Sequence, residues 1–166
     1  MSIFMALLLL SPTLWGQKVT RTATIVLNGN VNTIFPLFGA YEEKKWSPGW
    51  KPTPVYPSTE TIEEEATFTT PGHLEGEKDY VWRVSKYDPA QFLIQYMVYA
   101  ENRCVTITVQ CSPEGDNKTA ARITYSFIGL NALGDQISQH FIEAIYKHDL
   151  RDWEEKINAI VPSASK

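Results

Sequence analysis

Between residues 55 and 128 the chain is almost continuously strand-like, and every break in it is short. Segments 55–58, 66–70, 80–87, 92–101, 103–111 and 119–128 are rich in β-branched and aromatic residues. Turn formers separate most of them, at Pro71-Gly72, Asp88-Pro89, Glu101-Asn102 and residues 113–117. Connections this short join antiparallel neighbours, because a parallel partner needs a long crossover. Side chains alternate across a strand, so Trp82 and Val84 oppose Arg83 and Ser85, and Ile94, Tyr96 and Val98 oppose Gln95. In the same way Val105, Ile107 and Val109 oppose Thr106 and Thr108, while Ala121, Ile123, Tyr125 and Phe127 oppose Arg122, Thr124 and Ser126. The pattern predicts a sheet with one apolar face and one wet face, and the apolar face must be covered by something else.

Only one stretch is long enough to cover it. Residues 131–161 contain no proline, and Asn131 can cap a helix by accepting from a first-turn N–H. The segment accommodates a helix of about 29 residues, or about 43 Å. Its apolar residues form two stripes. Leu133, Ile137, Phe141, Ala144 and Ile145 mark the first half, and Ile142, Tyr146, Leu150, Trp153, Ile157 and Ile160 mark a second, rotated by roughly 100° or more. A helix that caps a hollow at one end and plugs a core at the other needs both stripes. So does one kinked near residues 147–150.

Ahead of the strands, residues 18–28 read as a first strand ended by Asn28, Gly29 and Asn30. Val31, Ile34, Phe35, Leu37 and Phe38 then follow a helical spacing that Pro36 keeps short, and residues 41–45 make a second short turn. Trp46, Ser47, Pro48, Gly49 and Trp50, followed by Pro52 and Pro54, form a loop carrying two indoles. The element order is β, αα, six β, α, an α+β pattern with a seven-stranded antiparallel sheet.

That order carries a resemblance to a known family. With it go the segment Glu42-Glu43-Lys44-Lys45-Trp46-Ser47-Pro48-Gly49-Trp50, the strand Trp82-Arg83-Val84-Ser85-Lys86-Tyr87-Asp88-Pro89, and Gly129-Leu130-Asn131 before the last helix. Together, over about residues 20–160, they resemble bacterial proteins of the START-like SRPBCC superfamily. That superfamily includes the birch-pollen-allergen-like (Bet v 1-like) and polyketide cyclase/dehydratase-like proteins. The resemblance implies the helix-grip fold, in which the sheet wraps a long C-terminal helix and leaves an apolar cavity between them. Its members range from carriers of lipids, hormones and ring compounds to cyclases, oxygenase subunits and chaperone cofactors, so function has to be argued from the site.

Charge and cysteine usage narrow the classes further. A net charge of −4, with 15 Lys and Arg scattered singly or in pairs, lacks the basic stripe that nucleic-acid binding requires. Cys104 and Cys111 lie seven residues apart in one strand, on opposite faces, and cannot bridge each other. Two unpaired thiols favour a reducing, cytoplasmic compartment. Residues 3–10 pull the other way, being an apolar run shaped like a short signal peptide with cleavage near Gly16. No Lys or Arg precedes the run, the residues before Gln17 are not of the small-x-small type, and the run is too short to span a membrane. The reading is an apolar segment over 1–16 and one domain over 17–166.

No nucleophile elbow, phosphate-cradling loop or zinc-type cluster occurs, so neither a metal nor a resident cofactor is expected. His140 and His148 are eight apart on the last helix, about 80° around its axis, and cannot form a metal pair; His73 falls in a loop. The expected ligand-binding residues are Trp46 and Trp50 as an aromatic lip or plug, and Trp82, Tyr96, Tyr125 and Phe127 on the inner face. Ile137, His140 and Phe141 join them from the helix. Buried tyrosine hydroxyls need partners, which makes Tyr96 and Tyr125 candidates for orienting a ligand oxygen.

Three functions fit these readings. The first is a non-catalytic binder of a small hydrophobic molecule of lipid, polyketide or aromatic type. The second is a cyclase/dehydratase-like enzyme, which requires a buried ionisable group in the pocket, with His140 or Glu42 as candidates; Glu42 also reads as a surface carboxylate paired with Lys45 or Lys44. The third is a chaperone-cofactor-like interaction module, which requires an exposed apolar patch on the outer face.

Overall fold

The structure is a computed structural model that describes residues 16–115 and 117–161. The apolar run 3–10, with its signal-peptide reading, and Pro162 lie outside the described residues. Strand β1 (Lys18–Asn28) leads to helix α1 (Val31–Ile34) and two 3₁₀ turns, Phe35–Phe38 and Glu43–Lys45. Strands β2 (Thr53–Tyr56), β3 (Thr67–Thr70), β4 (Tyr80–Asp88), β5 (Leu93–Ala100), β6 (Arg103–Pro113) and β7 (Lys118–Gly129) follow. Helices α2 (Ala132–Ile145) and α3 (Arg151–Ile160) complete the chain. All strand pairs are antiparallel, in the order β1-β7-β6-β5-β4-β3-β2. Six strands thus form a meander, with β1 added beside β7. The fold is the α+β, helix-grip arrangement, a seven-stranded antiparallel sheet with short helices after its first strand.

Local chemistry explains the short elements. Asn30 caps α1 by accepting from the Thr33 N–H at 3.1 Å, and Pro36, having no N–H, tightens the chain into a 3₁₀ turn. The long C-terminal stretch takes the broken form of the two that its stripes allowed. After Ile145 the α-helix stops, and Asp149 and Leu150 adopt φ of 49° and 62°. A left-handed leucine costs about 1 kcal/mol or more. Complete burial of the Leu150 side chain offsets that cost.

The break lets the two halves do different work. Helix α2 packs chiefly on β7, while α3 lies along β1. As the terminal strand of the sheet, β1 has an unpaired backbone edge, and α3 supplies its partners. Glu154 Oε2 accepts from the Val26 N–H at 3.1 Å and Asn158 Oδ1 from the Asn28 N–H at 2.7 Å. One helix covers the concave face and the other seals the edge.

The rotation of α2 departs from the first stripe. Leu133 is 57% exposed, and the buried line instead runs through Gly134, Ser138 and Ile142. The cause is a close approach to the β5–β6 turn. A Cβ at position 134 would overlap the Asn102 carbonyl oxygen, which is itself held by the Leu130 N–H at 2.8 Å. Only glycine fits, and the helix turns accordingly.

The outer face also differs from a uniformly wet surface. Val81, Tyr99, Cys104 and Ile128 stand in one register row across β4, β5, β6 and β7, and Val81, Tyr99 and Ile128 are each at least 40% exposed. Around them Arg83, Gln95, Thr106, Thr108, Arg122 and Thr124 do face outward as the alternation predicts. Cys104 shares the outer face, whereas Cys111 is buried and its thiol is pushed up to about 12 by that burial. Both cysteines are free. Among the described residues no helix is long and apolar enough to cross a membrane.

The Gly134 contact generates a sign test. In an ordinary exposed helix a glycine-to-alanine change stabilises by about 1 kcal/mol. Here Gly134→Ala is expected to destabilise by about 1–3 kcal/mol, through overpacking against backbone. Urea unfolding of wild type and variant measures it, and a gain in stability would remove the contact as the determinant of helix rotation.

Candidate functional site

Register stacks the inward side chains into rows. Phe68, Trp82, Val98, Val105 and Phe127 form one row across β3 to β7, and Val84, Tyr96, Ile107 and Tyr125 form the next. Beyond the second row Ile25, Leu27, Ile34, Ile94 and Ile123 are buried, and of the next row only Val109 reaches the cavity. Above the two rows the interior is hollow. A cavity of about 640 Å³ lies between them, the 3₁₀ turns and the helices, with Phe141, Ala144 and Ile145 of α2 forming the facing wall. Its mouth lies where the 43–50 segment meets the helix break, with Lys147, His148 and Asp152 exposed and Ser47 half-buried.

Six of the nine residues proposed from sequence line this space: Trp50, Trp82, Tyr96, Tyr125, Phe127 and Phe141. Trp46 lies behind the wall, where its indole N–H donates to the Leu37 carbonyl at 2.8 Å and its ring packs on Trp153 at 5.2 Å. It is a plug, whereas Trp50 forms part of the wall. Trp50 is held by its own N–H on the Ala40 carbonyl at 2.6 Å and meets Trp82 edge to face at 5.1 Å. Ile137 and His140 are not on the wall, and His140 points to solvent. The turn that buries Gly134 and Ser138 sends Phe141 and Ile145 to the cavity and carries His140 away from it.

The tyrosines divide by their hydroxyls. Tyr96 donates to the Phe38 carbonyl at 2.9 Å, fastening the 3₁₀ turn to the sheet. Tyr146 donates to the Ile123 carbonyl at 3.0 Å and accepts from the Tyr125 N–H at 3.2 Å. The Tyr125 hydroxyl has no hydrogen-bond partner among the described residues, yet its ring is buried. Burial, then the nearby Glu43 carboxylate, push the Tyr125 phenol well up.

Glu43 is the polar group that sequence reasoning passed over in favour of Glu42. Glu42 pairs outward with Lys45, and Lys44 pairs outward with Glu60 at 2.6 Å. Glu43 is left without a cation or hydrogen-bond partner for its carboxyl among the described residues, on the cavity wall. It lies deep in the protein but keeps some accessible surface, because that surface faces the cavity. Burial pushes its carboxyl from the ordinary 4.5 up to about 8. The helical spacing of Glu43, Trp46 or Ser47, and Trp50 carried this signal, since it sets Glu43 on the face of Trp50.

A second polar group closes the opposite end. Arg103, 3% exposed, donates to Glu77 Oε1 at 2.5 Å, to Asn102 Oδ1 at 2.7 Å and to the Tyr80 hydroxyl, which in turn donates to Glu77 Oε2. Its guanidinium also lies 4.9 Å from the centre of the Phe141 ring. Burial alone pushes the Glu77 carboxyl up, but the bonds from Arg103 and Tyr80 outweigh it and hold it below the usual range. His73 sits at the exposed rim against Tyr80 and Phe141, and partial burial of its ring lowers its pKa. Strand parity could have found two of these residues, because Arg103 shares a face with Val105 and Tyr80 with Trp82.

No protein-family model matches the sequence, and no curated protein matches it. Solved structures do. Truncated norcoclaurine synthase from Thalictrum flavum superposes with a TM-score of 0.65 at 10% identity, over 92% of this chain and 100% of that one. The Zhui aromatase/cyclase from Streptomyces sp. R1128 gives 0.64 at 12% identity, over 86% and 93%. Ara h 8.0201 gives 0.62 at 12% identity, over 86% and 99%. At such identities what is shared is the fold, and it extends over nearly the whole of each chain: this protein has the helix-grip fold seen in these structures.

Proposed function

We propose that the protein binds a small, mostly apolar molecule in the cavity between its C-terminal helices and its sheet. The observation that carries the reading is a space of about 640 Å³ with an aromatic and aliphatic wall and an open mouth. That volume is within the range of small-molecule sites, and flat rings such as Trp50 and Trp82 lose little entropy on meeting a ligand. Among proteins of this fold, norcoclaurine synthase, 11% identical, has been solved with dopamine and hydroxybenzaldehyde.

A second reading, a cyclase-like enzyme, is favoured by one group. Such chemistry folds a flexible substrate and needs only one or two acid/base groups. His140 and Glu42, the candidates from sequence, face solvent or pair outward, which weakens this reading in its first form. Glu43 restores it, because a carboxyl near 8 can both donate and accept a proton close to neutral pH.

Displacement of an environment-sensitive naphthalene dye tests the binding reading, with native mass spectrometry for co-purified ligand. Ala144 lies on the cavity wall, so Ala144→Trp should fill the space and weaken dye binding by about tenfold or more. Wild type that takes up no dye, or equal uptake by the filled variant, would count against a cavity site.

The state of Glu43 is tested by stability. A carboxyl that titrates near 8 folded and near 4.5 unfolded binds more protons in the folded state between those values. Its contribution is complete below about 4.5 and is lost as pH rises through about 8. Wild type should therefore lose stability relative to Glu43→Gln across this window in urea titrations. Parallel profiles would show that the carboxyl is ionised throughout.

A further inference from the structure

The cavity's polar groups specify more than apolar character. Tyr125 is 8% exposed, stacked on Phe127 at 6.1 Å and met edge-on by Tyr146 at 6.0 Å, yet its hydroxyl is unpartnered among the described residues. The Tyr96, Tyr146 and Tyr80 hydroxyls all have protein partners. The Tyr125 hydroxyl keeps accessible surface on a residue that lines the cavity, and an unpartnered donor facing a mostly apolar space marks a place for a guest's polar atom. Glu43 is the second unpaired group on that wall, and both residues line the same cavity.

We propose that the ligand is a neutral, mainly apolar molecule bearing a carbonyl oxygen, and that the Glu43 carboxyl and the Tyr125 hydroxyl donate to that oxygen. This deepens the binding reading and rests on it. An anionic ligand has no unpaired interior cation to meet among the described residues, because Arg103 is already ion-paired with Glu77 and also donates to Asn102 and Tyr80. A cationic ligand would require an ionised Glu43 in an apolar wall. Around Glu43 stand the Tyr96 phenol from β5 and Tyr125 from β7, with Asp152 of α3, Lys147 and His148 at the mouth. Lys44 and Lys45 on its own segment are directed to Glu60 and Glu42. No interior cation among the described residues stabilises a carboxylate there, and a protonated carboxyl is a donor. A phenol and a carboxylic acid facing one space suit an acceptor oxygen.

The test compares three probes of one skeleton: fluorenone, fluorene and 9-aminofluorene. Quenching of tryptophan emission, with Trp50 and Trp82 on the wall, reports binding. Fluorenone is expected to bind about tenfold tighter than fluorene at pH 6.5, the size of one or two net hydrogen bonds. The preference should fade as pH rises through about 8, where Glu43 ionises. Glu43→Gln, which keeps a donor, should retain the preference without its pH dependence, and Tyr125→Phe should reduce it about threefold to tenfold. The carbonyl infrared band of bound fluorenone should lie below its value in hexane, and return toward it in Glu43→Leu/Tyr125→Phe. Equal affinity for fluorenone and fluorene would overturn this inference and leave the cavity reading standing. Binding of neither would remove both, and tighter binding of 9-aminofluorene than of fluorenone would make the site one for cations.

Discussion

The close passage of α2 over the β5–β6 turn is the contact on which the site depends. Gly134 lets the helix backbone approach the Asn102 carbonyl, and that approach sets the rotation of every later residue on the helix. The small side chain of Ser138 continues the close-packed line. Phe141, Ala144 and Ile145 consequently face the hollow, and His140 faces water. A helix rotated to bury Leu133 instead would present a different wall.

The cavity exists because the protein fills only part of its sheet. Buried aliphatic side chains from β1, α1, β5 and β7 fill one end, while the rows carrying Tyr125, Tyr96, Trp82 and Phe127 have only the helix wall and the 3₁₀ turns above them. The break at Asp149 and Leu150 allows this. It diverts α3 to the edge of β1, where Glu154 and Asn158 satisfy backbone groups that would otherwise be free to pair with another chain.

Electrostatically the site has two unlike poles. Around Arg103 the charge is matched by Glu77 and three of the five donors are bonded to Glu77, Asn102 and Tyr80, which makes that end a brace. Around Glu43 nothing is matched, and the group avoids the cost of buried charge by holding its proton. Functional chemistry is sought at the second pole, because unused bonding capacity facing an apolar space is available to a guest.

Much of this was legible beforehand. Alternation placed Trp82, Tyr96, Tyr125 and Phe127 on the inner face, and the twin stripes of residues 131–161 announced either a cap-and-plug helix or a break. The lip-or-plug reading of the two indoles left open which one plugs, and the outer row of Val81, Tyr99 and Ile128 and the choice of Glu43 over Glu42 were not read. Strand order, strand faces and short connections follow from sequence because period-two patterning and turn residues are local properties of the chain. Which way a helix is turned, which tyrosine finds a partner and which carboxyl loses its cation depend on groups far apart in the chain, and only tertiary packing brings those together.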